Sequence, residues 1–164
     1  MEYLQLFNDN KEVINEKIDR KLKRTLNNDK HFMISLVFIE NSKNEFLIQF
    51  TSKEKNSVFA ITGGHVKYGD NSLDTAIRET EEEMSIKLDK EDLKYVNTTK
   101  DKYCYCDIYY VKKDIKLSNL KLEEKEVESV HWMRLDEINE LIENGKFREK
   151  NILPLKQVLE YRST

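Results

Sequence analysis

Apolar and aromatic residues are concentrated in several short stretches of the chain, which is typical of β-strands, and Tyr3 to Phe7 alternates like a strand. Turn-forming residues separate the stretches, as where Asn41 to Asn44 joins two of them. We expect the two stretches around Lys100-Asp101 to form a hairpin. The predicted strands are Tyr3 to Phe7, Val13 to Ile18, His31 to Glu40, Glu45 to Phe50, Val58 to Thr62, Leu93 to Thr99, Tyr103 to Val111 and Glu128 to Arg134.

Three other segments repeat their apolar residues every three to four positions, which predicts helices. The first covers about Asn71 to Met84, the second begins at Asp136 and stops at Gly145, and the third covers about Leu153 to Tyr161. A sheet-rich middle with a few helices predicts an α+β chain. The inward face of the first helix is formed by Leu73, Ile77, Thr80 and Met84.

The composition is that of a highly charged globular domain. The chain has 164 residues, of which 38% are apolar and 36% charged, so we expect a single domain over residues 1–164. The net charge of −3 argues against a dedicated nucleic-acid binder, which needs a basic face. Neither a membrane-spanning run nor a signal-peptide pattern is present, so we expect a cytoplasmic protein without membrane contact. A homodimer remains open.

Several chemically suggestive side chains have a structural interpretation that we favour. Cys104 and Cys106 stand two apart in a predicted strand, which is poor geometry for a disulfide and favours buried thiols. Trp132 and His31 are interpreted in the same way, as packing residues. We assign Tyr103, Tyr105 and Tyr109 to sheet packing rather than to substrate contact. We assign the basic residues to a solvated face rather than to phosphate contact: Arg20, Lys21, Lys23 and Arg24.

Residues 64 to 86 carry the strongest chemical pattern, a short loop followed by an amphipathic helix. Glu79, Glu82 and Glu83 project from one side of that helix, where they repel one another by roughly 0.2–0.5 kcal/mol per pair. A hard divalent cation removes this penalty, because it prefers carboxylate oxygens and bridges to phosphates. A run of glutamates is by itself also typical of a solvated face, so the spacing of the whole segment decides.

That spacing, from Gly64 to Ile86, resembles the motif of the Nudix hydrolase family: Gly, five residues, an acid, seven residues, Arg-Glu, two residues, Glu-Glu. Asp70, Thr80 and Ser85 stand where the family has Glu, an aliphatic residue and Gly. We expect Asp70 to cap the helix and the Thr80 hydroxyl to bond back to a helical carbonyl. Ser85 in a left-handed conformation would cost about 1–2 kcal/mol.

The resemblance implies an α/β/α sandwich with a mixed sheet and a loop–helix–loop motif. It also implies that Glu79, Glu82 and Glu83 hold Mg²⁺ or Mn²⁺, and that Arg78 orients a motif glutamate through an ion pair. Glu82, Glu79 and Arg78 would thus serve catalysis. None of the three departures from the motif removes one of these presumed ligands.

The resemblance further implies that Gly63, Gly64 and His65 lie against a substrate phosphate, although His65 can equally anchor the loop. For the general base we choose Glu126, in a charged segment before the last predicted strand. The alternatives for that base are Glu123 and Glu124.

The implied activity is metal-dependent pyrophosphohydrolysis of a nucleoside diphosphate linked to another moiety, with capped RNA left among the substrates. A finer resemblance, over most of the first half, is to the Nudix subgroup related to isopentenyl diphosphate isomerase. Gly63 stands where that isomerase has its catalytic cysteine, which favours hydrolysis. The alternative is a catalytically weak nucleotide-sensing or interaction module of the same fold.

Overall fold

The computed structural model describes residues 1–164 as a two-stranded and a seven-stranded sheet with three α-helices. The bounds agree with the predicted elements to within one or two residues, except around the glycine pair. The strands are β1 Tyr3–Phe7, β2 Val13–Asp19, β3 Phe32–Glu40, β4 Phe46–Thr51, β5 Phe59–Ala60, β6 Thr62–His65, β7 Lys94–Lys100, β8 Cys104–Lys112 and β9 Val127–Met133. The helices are α1 Ser72–Met84, α2 Leu135–Glu143 and α3 Ile152–Arg162.

Strand β3 is the centre of the larger sheet. It pairs in parallel with β8 along its whole length and antiparallel with β6 and, at its end, with β4. The predicted hairpin is present as the antiparallel pair β7–β8, and β4 also pairs with β5 and β9. One parallel pairing among antiparallel ones makes the sheet mixed, which confirms the predicted α+β class.

Side chains of β3 alternate between two helical layers. Leu36 and Phe38 belong to the apolar cluster that includes residues of α2 and α3. Val37 and Ile39 belong to the cluster on the other face, with Ala76 of α1. Because successive side chains of a strand point to opposite faces, this division places α1 on one side of the sheet and α2 with α3 on the other. The expected sandwich is confirmed.

The glycine pair lies inside a strand, not after one as predicted. Gly63 and Gly64 belong to β6, opposite Leu36 and Ser35 of β3. A Cβ built on Gly63 would overlap the Ser35 carbonyl oxygen. Two adjacent glycines weaken a strand in isolation, so the sequence favours a loop, but here they permit two backbones to approach closely.

The N-cap of helix α1 lies one residue later than predicted. Asn71, not Asp70, is the N-cap, and its side chain accepts a hydrogen bond from the Asp74 N–H at 2.9 Å. Asp70 is instead bound by Arg78, because a charged partner competes with capping. The Thr80 hydroxyl donates to the Ala76 carbonyl at 2.7 Å, as expected.

Ser85 ends α1 in the left-handed conformation that the motif requires, with φ of 57°. Its hydroxyl oxygen accepts a hydrogen bond from the Lys121 N–H at 2.7 Å. A glycine has no group for this bond, so the serine ties the helix end to the segment that precedes β9. The bond offsets part of the expected backbone cost.

The residues assigned to packing behave largely as predicted. Both cysteines are free, and burial raises the pKa of each thiol to about 12. The Tyr105 and Tyr109 hydroxyls are bound within the protein, and the Trp132 indole N–H donates to the Ile115 carbonyl at 3.1 Å. No helix has both the length and the apolar character needed to span a membrane.

Candidate active site

A cleft of about 1340 Å³ opens beside β6, between α1, the segment before β9, the start of α3 and the turn after β2. Seven of the eight predicted site residues line it: Gly63, Gly64, His65, Glu79, Glu82, Glu83 and Glu126. Arg78 is not in its lining. The two cysteines also line the cleft, on the β8 side, so their side chains are not confined to the core as expected.

Arg78 holds together three acids from behind the cleft. Its strongest contact is the ion pair with Asp70, and its guanidinium also lies 3.5 Å from Glu79 and 3.8 Å from Glu82. The Nε atom of Arg78 is buried without a hydrogen-bond partner. The expected ion pair to a motif glutamate is therefore present, and Asp70 shares it.

Glu83 is the most buried of the motif acids, with 7% of its surface exposed. Gln49 of β4 donates from Nε2 to one Glu83 carboxylate oxygen at 3.0 Å and to the Thr62 hydroxyl at 3.1 Å. Burial raises the pKa of Glu83 to about 8. Gln49 was not predicted as a site residue, although its polar side chain within the apolar run of β4 was an available signal.

Glu79 lies directly against the backbone of Gly64. A Cβ on Gly64 would fall 2.5 Å from the Glu79 carboxyl carbon, a distance at which one of the two must move. Burial raises the pKa of Glu79, and the charge of Glu82 acts in the same direction. Glycine at position 64 is thus the condition for the Glu79 carboxylate to lie in the cleft.

The donor set suits a divalent cation chemically. Glu79 is half-buried and Glu83 is buried, so both carboxylates are costly to ionise without a strong counter-charge, and the Glu82 side chain beside them is 56% exposed. Carboxylate oxygens are the ligands that Mg²⁺ and Mn²⁺ prefer. In the conformation described, no three acidic, histidine or cysteine side chains converge on one point. The three glutamates therefore suit a divalent cation by their oxygen chemistry and because they line the same cleft.

The segment before β9 forms the opposite rim. The Glu123 N–H donates to the Glu83 carbonyl at 2.9 Å, which ties this segment to α1. Glu126 Oε1 lies 3.6 Å from the Lys55 ammonium, and the negative charge of Glu126 contributes to the raised pKa of Glu83. Of the alternatives for the general base, Glu123 lines the cleft and Glu124 does not.

Arg148, which was likewise not predicted as a site residue, provides a positive charge in the same cleft. It is half-buried, lines the cleft and has no carboxylate within 4.0 Å. Burial lowers the pKa of Arg148, while the charges of Glu83 and Glu126 act in the opposite direction. A guanidinium without an acidic partner can bind a phosphate oxygen without first breaking an ion pair.

His65, the last residue of β6, is anchored by two contacts. Its ring stacks on Phe32 with centroids 5.5 Å apart, and its Nε2 accepts a hydrogen bond from the Lys23 ammonium at 2.9 Å. Burial, with the nearby charges of Arg20 and Lys23, lowers the pKa of His65 to about 2. The imidazole is therefore neutral at physiological pH.

This neutral histidine predicts a loss of stability in mild acid. The folded protein resists protonation of His65 and the unfolded chain does not, so the free energy of unfolding should fall as pH drops below about 6.5. The contribution of His65 between pH 7 and pH 5 is about 2 kcal/mol. Urea unfolding of wild type and His65→Gln across this range checks it. The two curves should converge towards pH 5, and a constant separation between them would contradict the prediction.

Residues 30–156 match the family model of the NUDIX domain. The chain belongs to the Nudix family. It is 29% identical over 157 residues to an uncharacterized Nudix hydrolase of Listeria monocytogenes, covering 90% of this chain and 88% of that one. An uncharacterized Nudix hydrolase of Listeria innocua is 27% identical over the same shares.

Solved structures share the Nudix fold. The DR0079 protein of Deinococcus radiodurans superimposes with a TM-score of 0.75 at 19% identity, covering 94% of this chain and 96% of that one. An Ap4A hydrolase of C. elegans gives a TM-score of 0.57 at 20% identity, covering 80% and 99%. The prediction of a Nudix-type hydrolase acting on phosphoric anhydride bonds is confirmed at the level of the family.

Proposed function

We propose that this Nudix protein is a divalent-metal-dependent pyrophosphohydrolase that cleaves a nucleoside diphosphate linked to another moiety. The observation that carries the proposal is a single cleft in which the motif carboxylates face an unpaired guanidinium. Glu79, Glu82 and Glu83 supply the acids, and Arg148 supplies the cation. A negatively charged diphosphate needs both, because its own charge must be balanced where it meets carboxylates.

Glu79, Glu82 and Glu83 are the residues that would hold Mg²⁺ or Mn²⁺, which supplies charge neutralisation of the diphosphate oxygens when bound. Arg78 and Gln49 keep the acids in place from behind. These contacts fix the carboxylates before substrate arrives, which lowers the cost of assembling the site.

Hydrolysis requires that a water oxygen bond to phosphorus while the anhydride P–O bond breaks. Glu126 takes the proton of that water in this proposal, because it lines the cleft and lies on the rim facing Glu83. Arg148 stabilises the negative charge on the departing phosphate. The backbone at Gly63 and Gly64 and the ring of His65 border the phosphate.

Two alternatives are less well supported. The departures at Asp70 and Ser85 would favour a weakly catalytic sensing module, but each of these side chains has a definite partner that preserves the helix. Isomerisation would need a thiol at position 63, where any Cβ would overlap the backbone of β3. Hydrolysis requires neither a disrupted motif helix nor a thiol at position 63.

A substrate panel with Mg²⁺ tests the proposal. It contains NDP-sugars, dinucleoside polyphosphates, NADH, ADP-ribose, dNTPs and capped RNA, assayed with wild type, Glu82→Gln and Glu81→Gln. Glu81 is exposed on the same helix and does not line the cleft, which makes it the matched control. We expect at least one compound to be hydrolysed by wild type and Glu81→Gln and much more slowly by Glu82→Gln. No turnover of any compound, or equal rates in all three proteins, would refute the assignment.

A further inference from the structure

The N-terminal hairpin lies outside the region that the family model matches and forms one wall of the cleft. The family match begins at residue 30, so β1, β2 and the turn after them lie outside it. The hairpin is firmly docked: the Gln5 N–H donates to the Val66 carbonyl at 3.1 Å, and the Tyr68 N–H donates to the Tyr3 carbonyl at 2.9 Å. Leu4 is fully buried. Side chains presented by this segment therefore have fixed positions relative to β6.

The turn after β2, Arg20–Thr25, directs three cations into the cleft. Arg20 is paired with Glu2 at 2.7 Å. Lys23 and Arg24 have no carboxylate within 4.0 Å. The chain as a whole is acidic, so this concentration of positive charge is local and does not reflect the average composition.

Lys23 is the most constrained of these cations. It is half-buried, its ammonium donates to His65 Nε2 at 2.9 Å, and it lies 5.2 Å from the centre of the Phe32 ring. Burial lowers the pKa of Lys23, and the charges of Arg20, Arg24 and Lys150 act in the same direction. Cations crowded together without a matching acid are unfavourable until an anion binds.

Acids of α1 and cations of the hairpin thus border one cleft, together with Glu2, which pairs with Arg20. The motif glutamates border it at α1, and the unpaired cations border it at the hairpin, with His65 contacting Lys23. Lys150 also lines the cleft, and its positive charge helps to lower the pKa of both His65 and Lys23. A carboxylate oxygen of Asp101 lies 3.6 Å from the Lys150 ammonium. A diphosphate held at the glutamates has Arg148 as its cation, so the hairpin cations remain available for a further phosphate.

We propose that Arg20, Lys23 and Arg24 form an anion subsite that binds a phosphate group of the substrate other than the diphosphate that is cleaved. This assignment rests on the proposed function and narrows it to substrates whose second moiety carries a phosphate. Lys23 is the central contact, because it is held in place and lacks an acid. Phosphate binding by fixed ammonium and guanidinium groups is charge-assisted and strong.

The first test measures tripolyphosphate binding to the metal-free protein in EDTA by calorimetry, without any need for turnover. Lys23→Met should weaken binding by about tenfold, and Arg24→Met by a smaller factor. Lys17→Met is the matched control, because Lys17 is exposed on β2 of the same hairpin and lines neither this cleft nor the smaller pocket beside Arg20, Lys23 and Arg24. Its affinity should equal that of wild type. Absence of saturable binding, or equal losses in Lys17→Met and Lys23→Met, would overturn the subsite.

The second test separates a phosphate of the substrate from free phosphate. NADPH and NADH differ only by one ribose phosphate, as do ADP-ribose 2′-phosphate and ADP-ribose. With Mg²⁺ we expect wild type to prefer the phosphorylated member in kcat/KM and Lys23→Met to lose that preference. No preference in wild type, or one that survives in Lys23→Met, would overturn the substrate assignment. If nothing is hydrolysed, the proposed function fails, and the binding test still decides the subsite.

Discussion

Glu83→Gln is expected to lower the rate of anhydride cleavage by on the order of 10²–10³-fold at saturating Mg²⁺, the range seen when one preorganised electrostatic group is removed from an active site. Glu83 is nearly buried, borders the cleft and is held by Gln49. Glutamine has almost the same shape but no charge. It therefore removes the capacity to bind a cation while it leaves the packing in place.

The measurement is the initial rate on the best substrate, beside thermal unfolding of the same proteins. Glu83→Gln should unfold at a temperature no lower than wild type, because it replaces a buried acid by a neutral group. Glu81→Gln, on the exposed side of the same helix, should match wild type in both assays. A Glu83→Gln protein with wild-type turnover would remove Glu83 from the catalytic set.

Gly64→Ala is the second change with a large expected effect. The added methyl group would lie 2.5 Å from the Glu79 carboxyl carbon, so this side chain must leave its position. Glu79 is a flexible side chain, so stability should change little. A displacement of about 1 Å at a reacting centre can nevertheless cost on the order of 10²-fold in rate. We expect a fall of that size in kcat, measured with the substrate that the panel identifies.

A double variant separates displacement of Glu79 from general damage. Glu79→Asp shortens the side chain by one methylene and makes room for the alanine methyl group. In the double variant Gly64→Ala with Glu79→Asp, the loss should therefore be smaller than the product of the two single losses. Fully multiplicative losses would show that the two positions act independently, contrary to the contact in the structure.

The sequence predicted most elements because their local signals agree with the tertiary structure. The apolar runs of β3 and β8 and the amphipathic pattern of α1 are each reinforced by burial in the clusters on the two faces of the sheet. Strand β6 was missed because Gly63 and Gly64 have low strand propensity, and their reason for being in a strand is the nearby backbone of β3. Such a reason is tertiary and has no local signature.

The candidate site likewise contains residues that local spacing predicts and residues that only the tertiary structure brings together. Glu79, Glu82 and Glu83 were found because their spacing along one helix fixes their common direction. Gln49, Arg148 and Lys23 come from distant segments, and nothing in their neighbours indicates that they meet in one cleft. The N-cap was misassigned to Asp70 for a related reason, since its partner Arg78 lies eight residues away.

The measurement that tests the central claim most directly is the rate of anhydride cleavage as a function of Mg²⁺ concentration, for wild type and Glu83→Gln side by side. We predict no turnover of wild type in EDTA and a saturable rise with Mg²⁺. For Glu83→Gln we predict a half-saturation shifted upward by about tenfold or more and a lower plateau. Full turnover in EDTA, or superimposable curves for the two proteins, would contradict the account.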